Sequence, residues 1–226
     1  MNSDQFKQGA RAALPIVLGY LPVGIAFGVL ARKAGLPPLE ITLMSLFVYA
    51  GASQFIAVEM VSRGIGGWPI LLTTFLVNFR HFLMSSSLFL YFSNHSLRTL
   101  GLLSAQLTDE SFALAMSDTS KVVNRPLYLF GLQATAQFAW VGGSLLGGLF
   151  AGLIDPQGFG LVFALPGLFI CLLTLQVKSR PHFWVVIVAG ISSVLLKGVL
   201  PGNWYVVLAA LLASGCGILI ESGKGK

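Results

Sequence analysis

Long apolar runs separated by short polar punctuation dominate this chain. Seven of them read as helices: Ala12–Ala31, Ile41–Val61, Trp68–Phe92, Leu127–Ile154, Gly160–Val177, Phe183–Leu200 and Trp204–Ile220. Each is about 17 residues or longer, the length a helix needs to cross the hydrocarbon of a bilayer. The runs are continuous and do not alternate, which excludes the strands of a lipid-facing barrel. The connections are short and rich in Pro, Gly or Asn: Leu36-Pro37-Pro38, Gly66-Gly67, Asp155-Pro156 and Pro201-Gly202-Asn203. An eighth segment, Leu100–Met116, is apolar at both ends but carries Gln106, Asp109 and Glu110. The pattern predicts an all-α polytopic membrane protein. It forms a bundle of seven to eight transmembrane helices, organised as one integral membrane domain over residues 1–226.

Composition agrees with that pattern. Apolar residues make up 55% of the chain and charged residues 10%, and the mean hydropathy is +0.83. A soluble domain is about one quarter charged. The net charge of +6 is scattered in ones and twos at the ends of apolar runs, with no basic stripe, so nucleic acid is not an expected partner. Counting basic residues does not choose between seven and eight spans. Either topology places nine on the cytoplasmic side and three outside, with the C-terminus inside. Met1–Arg11 is a polar lead followed by no small-residue cleavage site, so it is expected to precede a retained first span. Cys171 and Cys216 lie within apolar runs and read as packing residues.

Polar groups at membrane depth carry the candidate chemistry. Asn78-Phe79-Arg80-His81 lies well inside Trp68–Phe92, and an intramembrane guanidinium marks a functional site by default. Arg80 can grip a carboxylate bidentately in a dry site, and Asn78 lies half a turn away on the same helix. Asp109 or Glu110 could receive an ammonium group or carry a coupling proton. Glu110 and His81 are candidates for a coupling proton or a gate. Ser53 and Gln54, in Tyr49-Ala50-Gly51-Ala52-Ser53-Gln54-Phe55, form a candidate wall of the same pocket. The rival reading is an Arg80–Asp109 ion pair that only neutralises two buried charges. Gly24-xxx-Gly28 and Gly143-xxx-Gly147 read as helix-packing positions. A faint internal repeat at an offset of 117 aligns Ala34-Gly35-Leu36 with Ala151-Gly152-Leu153, Ser62-Arg63 with Ser179-Arg180, and Arg80 with Lys197.

Enzyme signatures are missing from the sequence. Gly51-Ala52-Ser53 lacks the closing Gly of a nucleophile elbow, and His81, His95 and His182 have no metal-ligand spacing. There is no Walker loop, so neither a cofactor nor catalysis is expected, and any driving force would be an ion gradient or a separate subunit.

Four motifs together resemble the AzlC-type branched-chain amino-acid exporters. They are Gly19-Tyr20-Leu21-Pro22-Val23-Gly24-Ile25-Ala26-Phe27-Gly28, Tyr49 to Phe55 as quoted above, Asn78-Phe79-Arg80-His81, and Leu107-Thr108-Asp109-Glu110-Ser111-Phe112. The resemblance runs from about Gly9 to Val199. It implies export of valine, leucine and isoleucine across a bacterial plasma membrane, together with a separate small hydrophobic partner of the AzlD type. Two other classes stay open at this point: a membrane scaffold or assembly subunit, and a channel-like facilitator with Arg80 as an anion filter.

Overall fold

The computed structural model describes residues 2–92, 95–117, 126–155, 179–199 and 204–222, with isolated positions between 158 and 177. The expected span Gly160–Val177 and the turn Pro201-Gly202-Asn203 fall largely outside the described residues. All regular elements among the described residues are helices: α1 (Asn2–Ala12), α2 (Leu14–Lys33), α3 (Pro38–Phe47), α4 (Gly51–Ser62), α5 (Gly67–Phe92), α6 (Leu97–Ala105), α7 (Asp109–Ser117), α8 (Pro126–Phe150), α9 (Arg180–Lys197) and α10 (Trp204–Ser222). The chain divides into two compact units, Met1–Leu168 and Phe169–Lys226. In the second, α9 and α10 pack on each other.

The first unit is assembled on a seam of small residues between α2 and α8. A Cβ built on Gly24 would lie 3.0 Å from the Trp140 carbonyl oxygen, and one on Gly28 would lie 2.1 Å from that of Ser144. Reciprocally, Gly143 abuts the Leu21 carbonyl and Gly147 that of Ile25. Backbone therefore touches backbone, which only glycine permits. Both glycines advance together along the two helices, so α2 and α8 run parallel. The polar lead is itself a helix, joined to α2 by bonds from Ala13 N to Gly9 O (3.0 Å) and from Val17 N to Ala13 O (2.9 Å). It too lies on α8, where Gly9 meets the Tyr128 carbonyl and Gly131 that of Phe6.

One expected span and the ambiguous eighth segment are each broken in the middle. Ile41–Val61 is α3 and α4, interrupted at Val48-Tyr49-Ala50, and Leu100–Met116 is α6 and α7, interrupted at Gln106-Leu107-Thr108. The first pair folds back on itself. Gln54 Nε2 donates to Ser45 Oγ at 3.1 Å, although nine residues of straight helix would separate these positions by about 13 Å. α3 enters beside Gly148 through Ile41 and reaches Tyr49, which packs on Tyr20. α4 then returns, with Phe55 against Phe27. The second pair enters from the opposite end of α8. Leu103 lies beside Gln133 and Gln106 beside Gln137, after which α7 turns back and Ala115 joins Leu88, Leu103, Leu107 and Leu129 in one apolar cluster. α5 follows α4 and reaches that cluster through Leu88, so it runs antiparallel to α2 and α8.

The described helices long and apolar enough to cross a bilayer are Leu14–Lys33 and Arg180–Lys197. The expected seven or eight spans exceed this because the two hairpins divide their apolar runs and because Asn78, Arg80 and His81 dilute α5. The outward faces are apolar all the same, with Leu18 74% and Phe138 78% exposed. The aligned triplets of the 117-residue offset are both turns after long helices (α2 and α8), while Lys197 ends α9 in the second unit. Within the first unit, the order of one long helix followed by two short ones recurs at an offset of 58, which takes Ser53 to Ser111 and Tyr20 to Asn78.

The seam predicts a sharp contrast between neighbouring glycines. Gly147→Ala puts a methyl 2.1 Å from the Ile25 carbonyl and should cost about 1–3 kcal/mol, whereas Gly142→Ala meets nothing within 4 Å and should be neutral or stabilising. Unfolding midpoints of the two variants in detergent check this.

Candidate functional site

A helix broken within a protein interior leaves carbonyls at one stump and amides at the other without intrahelical partners. The chain supplies partners for both hairpins mainly from α8. Gln137 Nε2 donates to the Leu46 carbonyl at the end of α3 (3.0 Å), and Gln133 Nε2 to the Leu103 carbonyl near the end of α6 (3.0 Å). Gln106 Nε2, at the break of the second hairpin, donates to Gln137 Oε1 at 2.9 Å, so both breaks meet at Gln137. A second set of bonds fixes the first hairpin. Trp140 Nε1 donates to Gln54 Oε1 (2.9 Å), Gln54 to Ser45, Ser45 Oγ to Ser144 Oγ (2.8 Å), and Ser144 Oγ to the Trp140 carbonyl (2.7 Å). Gln54, Ser45 and Ser144 are fully buried, and the circuit begins and ends on Trp140. Gln54, expected at the pocket wall, therefore has both ends of its amide engaged in packing.

The start of α7 is capped locally. Thr108 N donates to Ser111 Oγ (2.9 Å) and Ser111 N to Thr108 Oγ1 (3.3 Å), the reciprocal pattern of a capping box with Ser in the third position. This places Asp109 and Glu110 in the first turn, where the helix dipole favours negative charge.

Arg80 stands at the middle of α5 and reaches that turn, its Nη1 3.0 Å from Asp109 Oδ2. The pair is not sealed: the Arg80 side chain is 30% exposed and that of Asp109 14%. Arg80 Nε is buried without a hydrogen-bond partner, so a second planar acceptor is still wanted at this guanidinium. Two residues earlier on α5, Asn78 Oδ1 accepts from Ser53 Oγ at 2.6 Å, tying the start of α4 to α5. The starts of the two half-helices are thus each tied to α5, by Ser53–Asn78 and by Asp109–Arg80, as two separate contacts. His81 is half-buried beside them and joins none of these side-chain bonds.

Glu110 faces the other way, toward α2. Tyr20 Oη lies 2.5 Å from Glu110 Oε2 and 2.9 Å from Thr108 Oγ1. Across from it stands Tyr49 at the apex of the first hairpin, with φ +39°, a left-handed conformation that side chains rarely adopt and that marks stored strain. Its hydroxyl is buried and completes no hydrogen bond.

Residues 15–154, which hold α2 to α8 and every group just described, match the family model described as AzlC protein. The chain belongs to the AzlC family. Relatives include an uncharacterized membrane protein of Archaeoglobus fulgidus, 35% identical over 79% of this chain and 79% of its own. Another is the inner membrane protein YgaZ of Escherichia coli, 34% identical over 81% of this chain and 78% of its own. The branched-chain amino acid transport protein AzlC of Bacillus subtilis is 26% identical over 93% of this chain and 83% of its own. No solved structure matches the chain. An AzlC-family chain is thus a membrane protein, and the broken helices have to be understood in that solvent.

Sequence reasoning misses the residues that hold the breaks together: Tyr20, Ser45, Gln133, Gln137, Trp140 and Ser144. A usable signal was present in Gln133 and Gln137, two amides four residues apart in an apolar run. They merit the attention given to Arg80, because polar groups at such depth must be satisfied from within. Gln137→Leu would strand the Leu46 carbonyl and the Gln106 amide together. It should lower stability by about 1–3 kcal/mol per stranded group, read as the denaturation midpoint in detergent.

Proposed function

We propose that this chain is the transport-active subunit of an amino-acid exporter that moves valine, leucine, isoleucine and other small neutral amino acids out of the cell. A single observation carries the reading: a partly open cation–carboxylate pair, Arg80 and Asp109, stands where two broken helices meet midway along a long third helix. Discontinuous helices meeting at mid-membrane are a recurrent way for transporters to hold a polar substrate in an apolar layer. α5, at 26 residues, is about 39 Å long and exceeds the hydrocarbon thickness of about 30 Å, with Arg80 near its centre. In this reading α2, α5 and α8 cross the plasma membrane. The two hairpins enter from opposite faces, and further crossings lie in the second unit.

A zwitterion fits the charges present. Its carboxylate takes Arg80 through the unpartnered Nε and an Nη group, and its ammonium takes Asp109. Binding exchanges one internal ion pair for two with the substrate, so neither buried charge is left alone. Asn78 and Ser53 orient the pair from the α4 side. The name of the Bacillus subtilis relative supports the substrate class. An ion gradient supplies the driving force, and a small hydrophobic AzlD-type subunit completes the assembly.

The existing contact between Arg80 and Asp109 favours a second reading, in which the pair is a structural clasp in an assembly subunit. Arg80→Ala separates the two. The exporter reading expects uptake of radiolabelled valine into inverted membrane vesicles to fall to background, with the protein still folded and still copurifying with its small partner. A clasp expects the partner and the fold to be lost first. Retained uptake in Arg80→Ala would contradict the exporter site.

A further inference from the structure

The hydroxyl cluster around Glu110 has a property that the Arg80–Asp109 pair lacks. Among the described residues no cation contacts Glu110; it bonds to the hydroxyl of Tyr20 and to groups of its own helix turn. Its charge can therefore change without breaking an ion pair. The titratable groups around it are Tyr20 from α2, Tyr49 from the first hairpin and Asp109 beside it on α7. Arg80 and His81 of α5 face Asp109. Tyr128, the titratable residue of α8, packs among the apolar residues near Leu129 and Leu88.

Counting protons decides how the cluster is wired. Tyr20 owns one hydroxyl proton but has two oxygens within bonding distance, at 2.5 and 2.9 Å. If Glu110 is ionised, Tyr20 must donate to it, and Thr108 must turn its own proton toward Tyr20. If Glu110 takes a proton, a new O–H bond forms on the carboxyl and donates to Tyr20. Tyr20 then donates to Thr108, Thr108 Oγ1 to Ser111 Oγ (3.2 Å), and Ser111 Oγ to the Thr108 carbonyl (3.1 Å). Both arrangements give every hydroxyl in the row a donor and an acceptor, but they run in opposite directions, so a proton on Glu110 reverses the row as far as the Thr108–Ser111 cap. The row ends in the capping box of α7, the element that presents Asp109 to Arg80. The Tyr49 hydroxyl is also buried here, with the residue 5% exposed, completes no hydrogen bond of good geometry, and has Tyr20 and Glu110 as its polar neighbours.

We propose that Glu110 is the site where the transported proton binds, and that Tyr20 is a positioning residue that relays its occupancy to the Thr108–Ser111 cap of α7. This rests on the exporter reading for its physiological meaning. The proton binds as the carboxylate becomes a carboxylic acid, and its release restores the ionised arrangement, with no other reactant needed. The charge of Glu110 thereby sets the geometry of the turn that holds Asp109, linking proton occupancy to the hold on Arg80.

Two measurements test this, one of them independent of transport. In pH-difference infrared spectra of the purified full chain, a protonated-carboxyl band should appear that is absent in Glu110→Gln and displaced in Tyr20→Phe. A spectrum unchanged in Glu110→Gln overturns the proton site. In inverted vesicles, Glu110→Gln should lose roughly tenfold or more of the accumulation driven by an imposed pH gradient, well beyond its loss of valine counterflow, as loss of a typical coupling energy would give. Tyr20→Phe should shift the pH midpoint of accumulation while counterflow persists. Gradient-driven accumulation equal to the parent in Glu110→Gln, or equal loss of counterflow and accumulation there with Tyr20→Phe unaffected, overturns the proposal. Absence of valine transport by the parent itself counts against the exporter reading, while the infrared result still decides the proton site.

Discussion

Backbone that stops being helical inside an apolar layer has to find its hydrogen bonds within the protein, and the rest of this fold answers to that constraint. Each unsatisfied amide or carbonyl costs several kcal/mol where water is absent. α8 meets most of the demand. Gln137 and Gln133 cover carbonyls of the two first stumps, and Trp140 and Ser144 hold the first hairpin through Gln54 and Ser45. Such a supporting helix has to stay in place to fractions of an ångström. The glycine seam with α2 supplies that fixity, because backbone contacts leave no side chain to rearrange. The seam, the amides and the hairpins thus depend on one another in that order.

With its ends satisfied, each hairpin presents the start of a short helix at the centre of the first unit. The two starts are held by reciprocal contacts: Asn78 of α5 binds Ser53 on α4, and Tyr20 of α2 binds Thr108 and Glu110 at α7. Tyr20 and Asn78 are 58 residues apart, as are Ser53 and Ser111, so the recurring pattern of elements extends to the polar contacts. Side-chain chemistry breaks the equivalence. The α7 start carries two carboxylates and the α4 start none, so one side is acidic and the other neutral.

The helical class and the polar residues at depth were legible from the sequence, because a charge in an apolar run is conspicuous whatever the fold. Arg80 and Asp109 could be singled out for that reason, and a distance of 3.0 Å joins them. The breaks were not legible. A hairpin that folds back halfway has the same apolar content as a helix that crosses, and Val48-Tyr49-Ala50 contains neither Pro nor Gly to announce a turn. Tyr49 adopts its left-handed conformation because the packing around it imposes one, and local propensity gives no hint of that. The second break did leave a trace, since Thr108 and Ser111 have capping-box spacing before the apolar stretch of α7. Gln54 misled for the opposite reason: an amide at depth announces a need for partners and says nothing about whether protein or substrate fills it.

Under the proposed function Arg80 and Asp109 divide a zwitterion between them. Calorimetric titration of the purified full chain with valine, with isobutylamine (valine without its carboxylate) and with 3-methylbutanoate (valine without its ammonium) tests it most directly. Valine should bind measurably and neither truncated analogue with comparable strength, since each leaves one buried charge without a partner. Binding of either analogue as tight as that of valine would contradict it.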